Sequence, residues 1–159
     1  MRQTLHIPGN PVAQGRPKIA VVAGHARAYD PAKSRSWKGY VSTIAQGQML
    51  KEHDGPVAIS IDAVFLRPQG IPKWKGTGRF PRGSRPDVDN LAKAVCDALN
   101  GIAYHDDSAV TTLIVRKWTA AEGELPHVFI VIDDVEVPRP YAVGRMKDRL
   151  SPPGSKVEA

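Results

Sequence analysis

Apolar and polar residues alternate along several short stretches of the chain, as they do in strands that bury one face. The pattern predicts strands at residues 3–8, 57–66, 109–118 and 127–132. It also predicts a hairpin across Gly24-His25, with strands at residues 18–23 and 26–29. The chain is therefore expected to build a sheet of several strands.

Two longer segments carry apolar residues at helical spacing. The first begins at Asp30-Pro31, a pair typical of a helix start, and runs to about His53. The second covers residues 87–100 and ends at Asn100-Gly101, a typical helix stop. Strands and helices in this order predict an α+β fold with α/β character, in which a mixed sheet packs against two main helices.

The predicted domain covers residues 1–136. The following segment, residues 137–159, contains four prolines and few apolar residues, so it is expected to be a mobile C-terminal tail. No internal repeat is present in the sequence.

Composition excludes several classes of protein. The 159 residues are 42% hydrophobic and 24% charged, which is ordinary for a globular domain. The longest apolar run has five residues, whereas a membrane-spanning helix needs about 20. No secretory signal is expected, and the single cysteine, Cys96, excludes an internal disulfide. These features predict a reduced, cytoplasmic compartment with no membrane partner.

The distribution of charge indicates a polyanionic partner. Residues 1–80 hold 12 basic and 4 acidic residues, whereas residues 81–159 hold 10 basic and 12 acidic ones. A basic half beside a carboxylate-rich half suggests that one binds nucleic acid and the other acts on it. The alternative is that the net charge of +6 only serves solubility.

Chemistry-bearing residues concentrate at the start of the second predicted helix. Asp87 and Asp89 flank Val88, and Lys93 follows Asp89 by four residues on the same helical face. A further pair, Asp106-Asp107, precedes a predicted strand and is expected to return beside the helix start. Carboxylates from two segments with a nearby lysine suit metal-assisted phosphodiester cleavage, in which a cation such as Mg²⁺ generates hydroxide and neutralises phosphate charge.

Each of these residues also has a structural interpretation. Asp87 or Asp89 can cap the helix, and Asp89 with Lys93 can form an ordinary surface ion pair. The Asp106-Asp107 pair can be a polar turn. Asp97, near the helix C-terminus, opposes the helix dipole and is expected to need a cationic partner, for which Lys93 is in reach.

The run RPDVDNLAKAVCDALNGIAYHDDSAV, residues 85–110, resembles the active-site signature of the RusA-type Holliday junction resolvases, a family often encoded by prophages. The resemblance extends weakly over residues 1–134, where Gly15-Arg16-Pro17-Lys18 is similar to a basic segment of the family. It implies a RusA-like, homodimeric, magnesium-dependent endonuclease that resolves four-way DNA junctions in recombination and repair. Mn²⁺ is a possible substitute for Mg²⁺.

The resemblance also implies roles for individual residues. The family's paired aspartates fall on Asp87 and Asp89, and its catalytic lysine falls on Lys93. Its third aspartate falls within Asp106-Asp107, and alignment from that pair favours Asp107 as the third metal ligand. Asp97 and Asp106 are then expected to support the ligands without binding metal.

A loop at residues 67–85 is the strongest candidate for contact with DNA. Its 19 residues include six basic side chains, no acidic one and two aromatics, with glycines and prolines that prevent regular structure. Basic residues contact phosphates, and aromatic rings can stack on unpaired bases. The expected DNA-binding residues, including two from the basic N-terminal segment, are Arg16, Lys18, Lys73, Trp74, Lys75, Arg79, Arg82 and Arg85.

Two other functions compete with a junction endonuclease. The first is a junction-binding protein without cleavage, which would not need the full set of carboxylates. The second is a Mg²⁺-dependent hydrolase of small phosphate esters, which would not need a 19-residue polycationic loop. The loop itself can instead be solvated, with Trp74 packed on its own domain.

Overall fold

The computed structural model describes residues 1–49, 51–72 and 76–136. The predicted α+β architecture, with a mixed sheet and two helices, is confirmed. A 3₁₀ turn at Asp107–Ala109 precedes the strand that begins at Val110. The helices and strands, in chain order, are β1 (Arg2–Pro8), β2 (Lys18–Val22), β3 (His25–Tyr29), α1 (Ala32–Gln48), β4 (Val57–Phe65), β5 (Phe80–Pro81), α2 (Val88–Leu99), β6 (Val110–Thr119) and β7 (His127–Asp134).

The main sheet has the strand order β1-β7-β4-β6-β5. β7 pairs antiparallel with both β1 and β4, whereas β4 and β6 are parallel. A parallel pair needs a crossover connection, and here the connection contains α2. The helix therefore returns along the sheet, and its C-terminal half lies near the start of β6. Consistent with this, the Tyr104 hydroxyl donates a hydrogen bond to the Cys96 carbonyl at 3.0 Å.

The core forms where the two helices cover one face of the sheet. Leu5, Ile61 and Ile130 are aligned across three neighbouring strands and are fully buried. Trp37 and Val41 from α1 and Val95 from α2 belong to the same buried cluster. Burying each large aliphatic side chain contributes about 1.5–3 kcal/mol, so this layer fixes α2 against the sheet and gives the polar face of α2 a rigid frame.

The hairpin formed by β2 and β3 stands apart from the main sheet. Its turn is Ala23-Gly24, with φ of 51° and 79°, rather than the predicted Gly24-His25. Two successive residues with positive φ suit the tight turns that match strand twist. The register places Lys18 opposite Tyr29 and Ala20 opposite Arg27 on one face, while the other face is apolar.

Helix α1 differs from its prediction at both ends. Asp30 does not cap it, because the Asp30 carboxylate accepts hydrogen bonds from Gln14 and Lys38 instead. The helix ends at Gln48 and not near His53. The reason is tertiary, since the His53 amide donates to the Ala103 carbonyl at 2.8 Å and the His53 imidazole is held against Asp134.

None of the helices described is long and apolar enough to cross a membrane. The predicted tail, residues 137–159, lies outside the described residues.

Candidate active site

The start of α2 presents two exposed carboxylates. Asp87 occupies the N-cap position with extended backbone (φ −74°, ψ 149°), but its side chain makes no capping hydrogen bond. Asp89 lies in the first turn. Within the part of the chain that the structure describes, neither carboxylate has a hydrogen bond or an ion pair. The helix-cap and surface-pair interpretations of these two residues therefore have no support in the structure.

The segment before Asp87 is held in place from two sides. The Lys117 ammonium on β6 donates to the carbonyls of Ser84 and Pro86, at 2.9 and 2.7 Å. The Arg82 guanidinium donates to the Arg85 carbonyl at 3.2 and 3.3 Å. These contacts fix the direction in which the chain enters α2, and with it the position of Asp87. Nothing in the local sequence marked Lys117 for this role.

Lys93 is oriented by a chain of charges that reaches into α1. Its ammonium lies 3.5 Å from Asp97 Oδ1, as the sequence predicted. The other oxygen of Asp97 lies 3.2 Å from the ammonium of Lys38, which in turn lies 2.5 Å from Asp30. Gln14 Nε2 completes the series by donating to Asp30 at 2.6 Å.

Lys38 is the centre of this series. Its side chain is only 16% exposed and lies between two carboxylates. Partial burial works against its charge, but the hydrogen bonds to Asp30 and Asp97 outweigh this and raise the pKa of Lys38. The hydrogen bond from Lys38 in turn lowers the pKa of Asp30. Lys38 and Asp30 therefore stay charged near neutral pH, and Lys93 lies at the exposed end of the series.

The structure distinguishes Asp106 from Asp107. Asp106 Oδ1 accepts a hydrogen bond from the Ser108 amide at 3.0 Å, which caps the 3₁₀ turn. Hydrogen bonding from the Ser108 side chain, and then from this amide, lowers the pKa of Asp106. The Asp107 carboxylate is exposed and has no hydrogen-bonding partner among the described residues. Of the two, Asp107 is therefore the one whose oxygens are available to a ligand.

The segment that leads to Asp107 starts from the C-terminal half of α2, where the Tyr104 hydroxyl donates to the Cys96 carbonyl at 3.0 Å. The expected return of Asp106-Asp107 to the helix start stays a prediction.

The carboxylates at the start of α2 suit a hard divalent cation. Carboxylates without internal partners are suitable ligands for Mg²⁺. The described ranges contain no group of three or more His, Cys, Asp or Glu placed to hold a metal ion. Mg²⁺ commonly takes one or two protein carboxylates and completes its shell with water and substrate phosphates, so Asp87 and Asp89 fit such a site without a preformed cluster.

A basic pocket adjoins these carboxylates. It has a volume of about 420 Å³, and Arg16, Arg85 and Asp87 are among its lining residues. Gln14 and Asn90 also line it, and the backbone N–H of Gln14 donates to the backbone carbonyl of Asn90 at 2.9 Å. The basic N-terminal segment is thus attached to α2, so two of the predicted DNA-binding arginines flank Asp87.

The other predicted DNA-binding residues have differing surroundings. Arg82 lies over the Phe65 ring, 4.7 Å from its centroid, while Lys18 lies on the exposed hairpin. Arg79 is already paired with Glu124, and its hydrogen bonds lower the pKa of Glu124 to about 2. Residues 73–75, predicted as DNA contacts Lys73, Trp74 and Lys75, lie outside the described residues.

A second cavity, of about 830 Å³, lies between the loop after β4 and the β6–β7 turn. Its lining includes Arg67, Glu122 and Glu124 but none of the predicted catalytic residues. Arg67 donates to the carbonyls of Gly76, Gly78 and Ala120, so its guanidinium holds this loop together. This larger cavity is therefore separate from the candidate site at the start of α2.

Comparison with known proteins agrees with this geometry. A family profile described as "Endodeoxyribonuclease RusA" matches residues 8–133, a range that contains every predicted catalytic residue. The chain belongs to the RusA endodeoxyribonuclease family. The uncharacterized protein YqaN of Bacillus subtilis (strain 168) is 37% identical over 134 residues, which cover 80% of this chain and 92% of YqaN.

Membership of the RusA family confirms the resemblance seen in residues 85–110. Sequence reasoning missed two features of the site in this family member, namely Lys38 and Lys117. Lys38 was visible only as one of several cations on α1, because its partners Asp30 and Asp97 come from distant segments.

Proposed function

We propose that this protein is a Mg²⁺-dependent endonuclease that cleaves four-way DNA junctions during recombination and repair. The observation that carries the proposal is the pair of exposed carboxylates at the start of α2, Asp87 and Asp89, which make no hydrogen bond among the described residues. They lie next to a pocket lined by Arg16 and Arg85. In a protein of an endodeoxyribonuclease family, this combination of acidic and basic groups suits phosphodiester hydrolysis.

Each residue then has a role that follows from its position. Asp87 and Asp89 hold the cation, Arg16 and Arg85 bind backbone phosphates, and Lys93 stabilises the negative charge that develops on the cleaved phosphate. When bound, Mg²⁺ lowers the pKa of a water molecule and neutralises charge on the phosphate; Mn²⁺ has the same chemistry. Asp107 contributes a further carboxylate oxygen.

The test is to incubate the full chain with a synthetic four-way junction or a linear duplex of the same sequence, with Mg²⁺, Mn²⁺ or EDTA. We expect cleavage of the junction that depends on the metal and is much slower on the duplex. Binding without cleavage would indicate a junction-binding protein. Release of phosphate from small esters, with the junction left intact, would indicate a phosphate-ester hydrolase.

We also propose that the protein is a homodimer. The outer edge of β6 pairs with β5 only at Trp118 and Thr119, and Leu113 and Ile114 on this strand are 41% and 44% exposed. Native proteins rarely leave so long an apolar edge strand open. At the opposite edge of the sheet, the Gln48 side chain covers His6 of β1. Light scattering of the full chain is expected to give twice the mass of the monomer.

Removing Lys38 should impair catalysis through Lys93. In Lys38→Met, Asp97 loses the cation that orients it, so Lys93 is held less firmly, and we expect cleavage about tenfold slower with little change in junction affinity. Thermal unfolding should also occur at a lower temperature. Lys51→Met is the matched control, because the Lys51 side chain forms an exposed pair with Asp54 and no other ion pair among the described residues. Cleavage by Lys38→Met at the wild-type rate would contradict the positioning role.

The two arginines Arg79 and Arg85 should differ in DNA binding. Log affinity falls with log salt by about 0.9 for each phosphate that is neutralised. Arg85→Gln should reduce this slope by about 0.9, since the Arg85 side chain is exposed beside Asp87. Arg79→Gln should change it much less, because Glu124 already balances the charge of Arg79. A salt titration of junction binding measures both slopes, and equal slopes for the two variants would contradict the assignment.

A further inference from the structure

A groove beside the candidate active site has no role in the mechanism given above. It has a volume of about 640 Å³ and lies between the N-terminal segment, the end of β4 and the residues that lead into α2. It shares Ala13 and Pro86 with the pocket that Asp87 lines, so the two are adjacent. A DNA strand whose phosphate lies at Asp87 would pass directly beside this groove.

The lining of the groove combines apolar surface with positive charge. Val12, Phe65 and Leu66 contribute apolar surface, together with three prolines. Three cations line the same groove, and among the described residues no acidic side chain does. An apolar segment of a partner protein would not need the cations, whereas a nucleotide needs both a surface for its base and a charge for its phosphate. The cations are Lys33, Arg67 and Arg82.

The cations differ in how freely they can act. Arg67 is held by three backbone carbonyls and shapes the groove wall. Arg82 lies over the Phe65 ring, with its guanidinium carbon 4.7 Å from the ring centroid, and donates to the Arg85 carbonyl. A planar guanidinium fixed in this way is a surface on which a base can stack. Lys33 is exposed on the first turn of α1 and is available to a phosphate.

We propose that this groove accepts one unstacked deoxynucleotide of the bound DNA, next to the phosphate that is cleaved. The base lies on the apolar lining against Arg82, and Lys33 contacts the nucleotide's phosphate. The inference rests on the proposed function, because it assumes that the strand passes Asp87. It gives the protein a physical reason to prefer a branch point, where bases unstack more easily than they do in linear duplex.

The test fills the groove with a larger side chain. Leu66 is 54% exposed, so Leu66→Trp should fold while its indole occupies the space of the base. Leu66 lines both this groove and the cavity near the β6–β7 turn, whereas Leu125, which is 78% exposed, lines that cavity but not the groove. Leu125→Trp is therefore the matched control. Junction affinity is measured in EDTA, so that binding is read without cleavage, and thermal unfolding is followed for both variants.

The DNA is varied together with the protein. Junctions carrying one abasic nucleotide are prepared for each position around the branch point. At one position, wild-type protein should lose about tenfold in affinity when the base is removed, as expected for one stacked base. Leu66→Trp should show a similar loss on the intact junction and no further loss at that position, whereas Leu125→Trp should behave like wild type.

Several results would overturn the proposal. Losses that multiply at every abasic position would show that the base and the Leu66 side chain act independently. Wild-type affinity for Leu66→Trp would show that the groove is empty in the complex. Lys33→Gln gives a second route that does not depend on filling the groove. Its salt slope should fall by about 0.9, and an unchanged slope would contradict the phosphate contact.

Failure of this inference is distinct from failure of the proposed function. If wild-type protein cleaves junctions but no abasic position couples to Leu66→Trp, only the groove assignment is wrong. If coupling appears but the protein cleaves no junction with Mg²⁺, the groove binds a nucleotide and the proposed nuclease function is wrong.

Discussion

Asp87→Asn should abolish most cleavage while leaving junction binding intact. The substitution keeps the shape of the side chain but removes a negative charge that a hard cation needs. We expect the rate of cleavage to fall by about 10³-fold or more, and junction affinity to stay the same or increase because repulsion between Asp87 and phosphate is relieved. Single-turnover cleavage and equilibrium binding of the same junction measure the two effects separately.

Asp54→Asn is a suitable control for this result. Asp54 is an exposed aspartate whose one ion pair within the described ranges is with Lys51, so its substitution changes net charge equally without touching α2. It should cleave at the wild-type rate. Cleavage by Asp87→Asn at a similar rate would remove Asp87 from the site and with it the proposed cation ligand.

Asp107→Asn should be far more harmful than Asp106→Asn. In Asp106→Asn, the side-chain amide oxygen can still accept the hydrogen bond from the Ser108 amide that caps the 3₁₀ turn, so this variant should cleave nearly normally. The Asp107 carboxylate accepts no such hydrogen bond among the described residues. Loss of its charge should reduce cleavage by about 10²-fold. The measurement is the single-turnover rate of each variant across a range of Mg²⁺ concentrations.

The comparison of these adjacent residues is informative because both lie in the same segment and both are exposed to solvent. Equal and small effects would place the third carboxylate elsewhere, with Asp97 the next candidate. A loss in Asp107→Asn that high Mg²⁺ restores would indicate that Asp107 acts through metal affinity. A loss that Mg²⁺ does not restore would indicate a role at the reacting phosphate.

Much of the fold could be predicted because the signals for it are local. Helix α2 was predicted at 87–100 and is found at Val88–Leu99, since Leu91 and Val95 repeat at helical spacing. Gly101 follows the helix with φ of 72°, the conformation that favours glycine at a helix C-terminus. The end of α1 was predicted wrongly, because Ala103 and Asp134, which hold His53, lie far along the chain.

The residues of the candidate site likewise divide into those that a local sequence pattern predicts and those that only the folded chain brings together. Asp87, Asp89 and Lys93 form a pattern within seven consecutive residues, so the sequence was enough to select them. The partners that orient Lys93 could not be selected, because Lys38 and Asp30 are brought to Asp97 only when α1 packs against α2.

The central claim is that the carboxylates at the start of α2 direct hydrolysis of junction strands. The most direct measurement uses a four-way junction with a fixed branch point, with each strand end-labelled in turn and incubated with the full chain and Mg²⁺. We predict paired cuts at equal distances from the branch point on two opposing strands, nicked products that DNA ligase seals, and none of these with Asp87→Asn. Equal cutting of linear duplex, or a junction that is bound but left intact in Mg²⁺, would contradict the account.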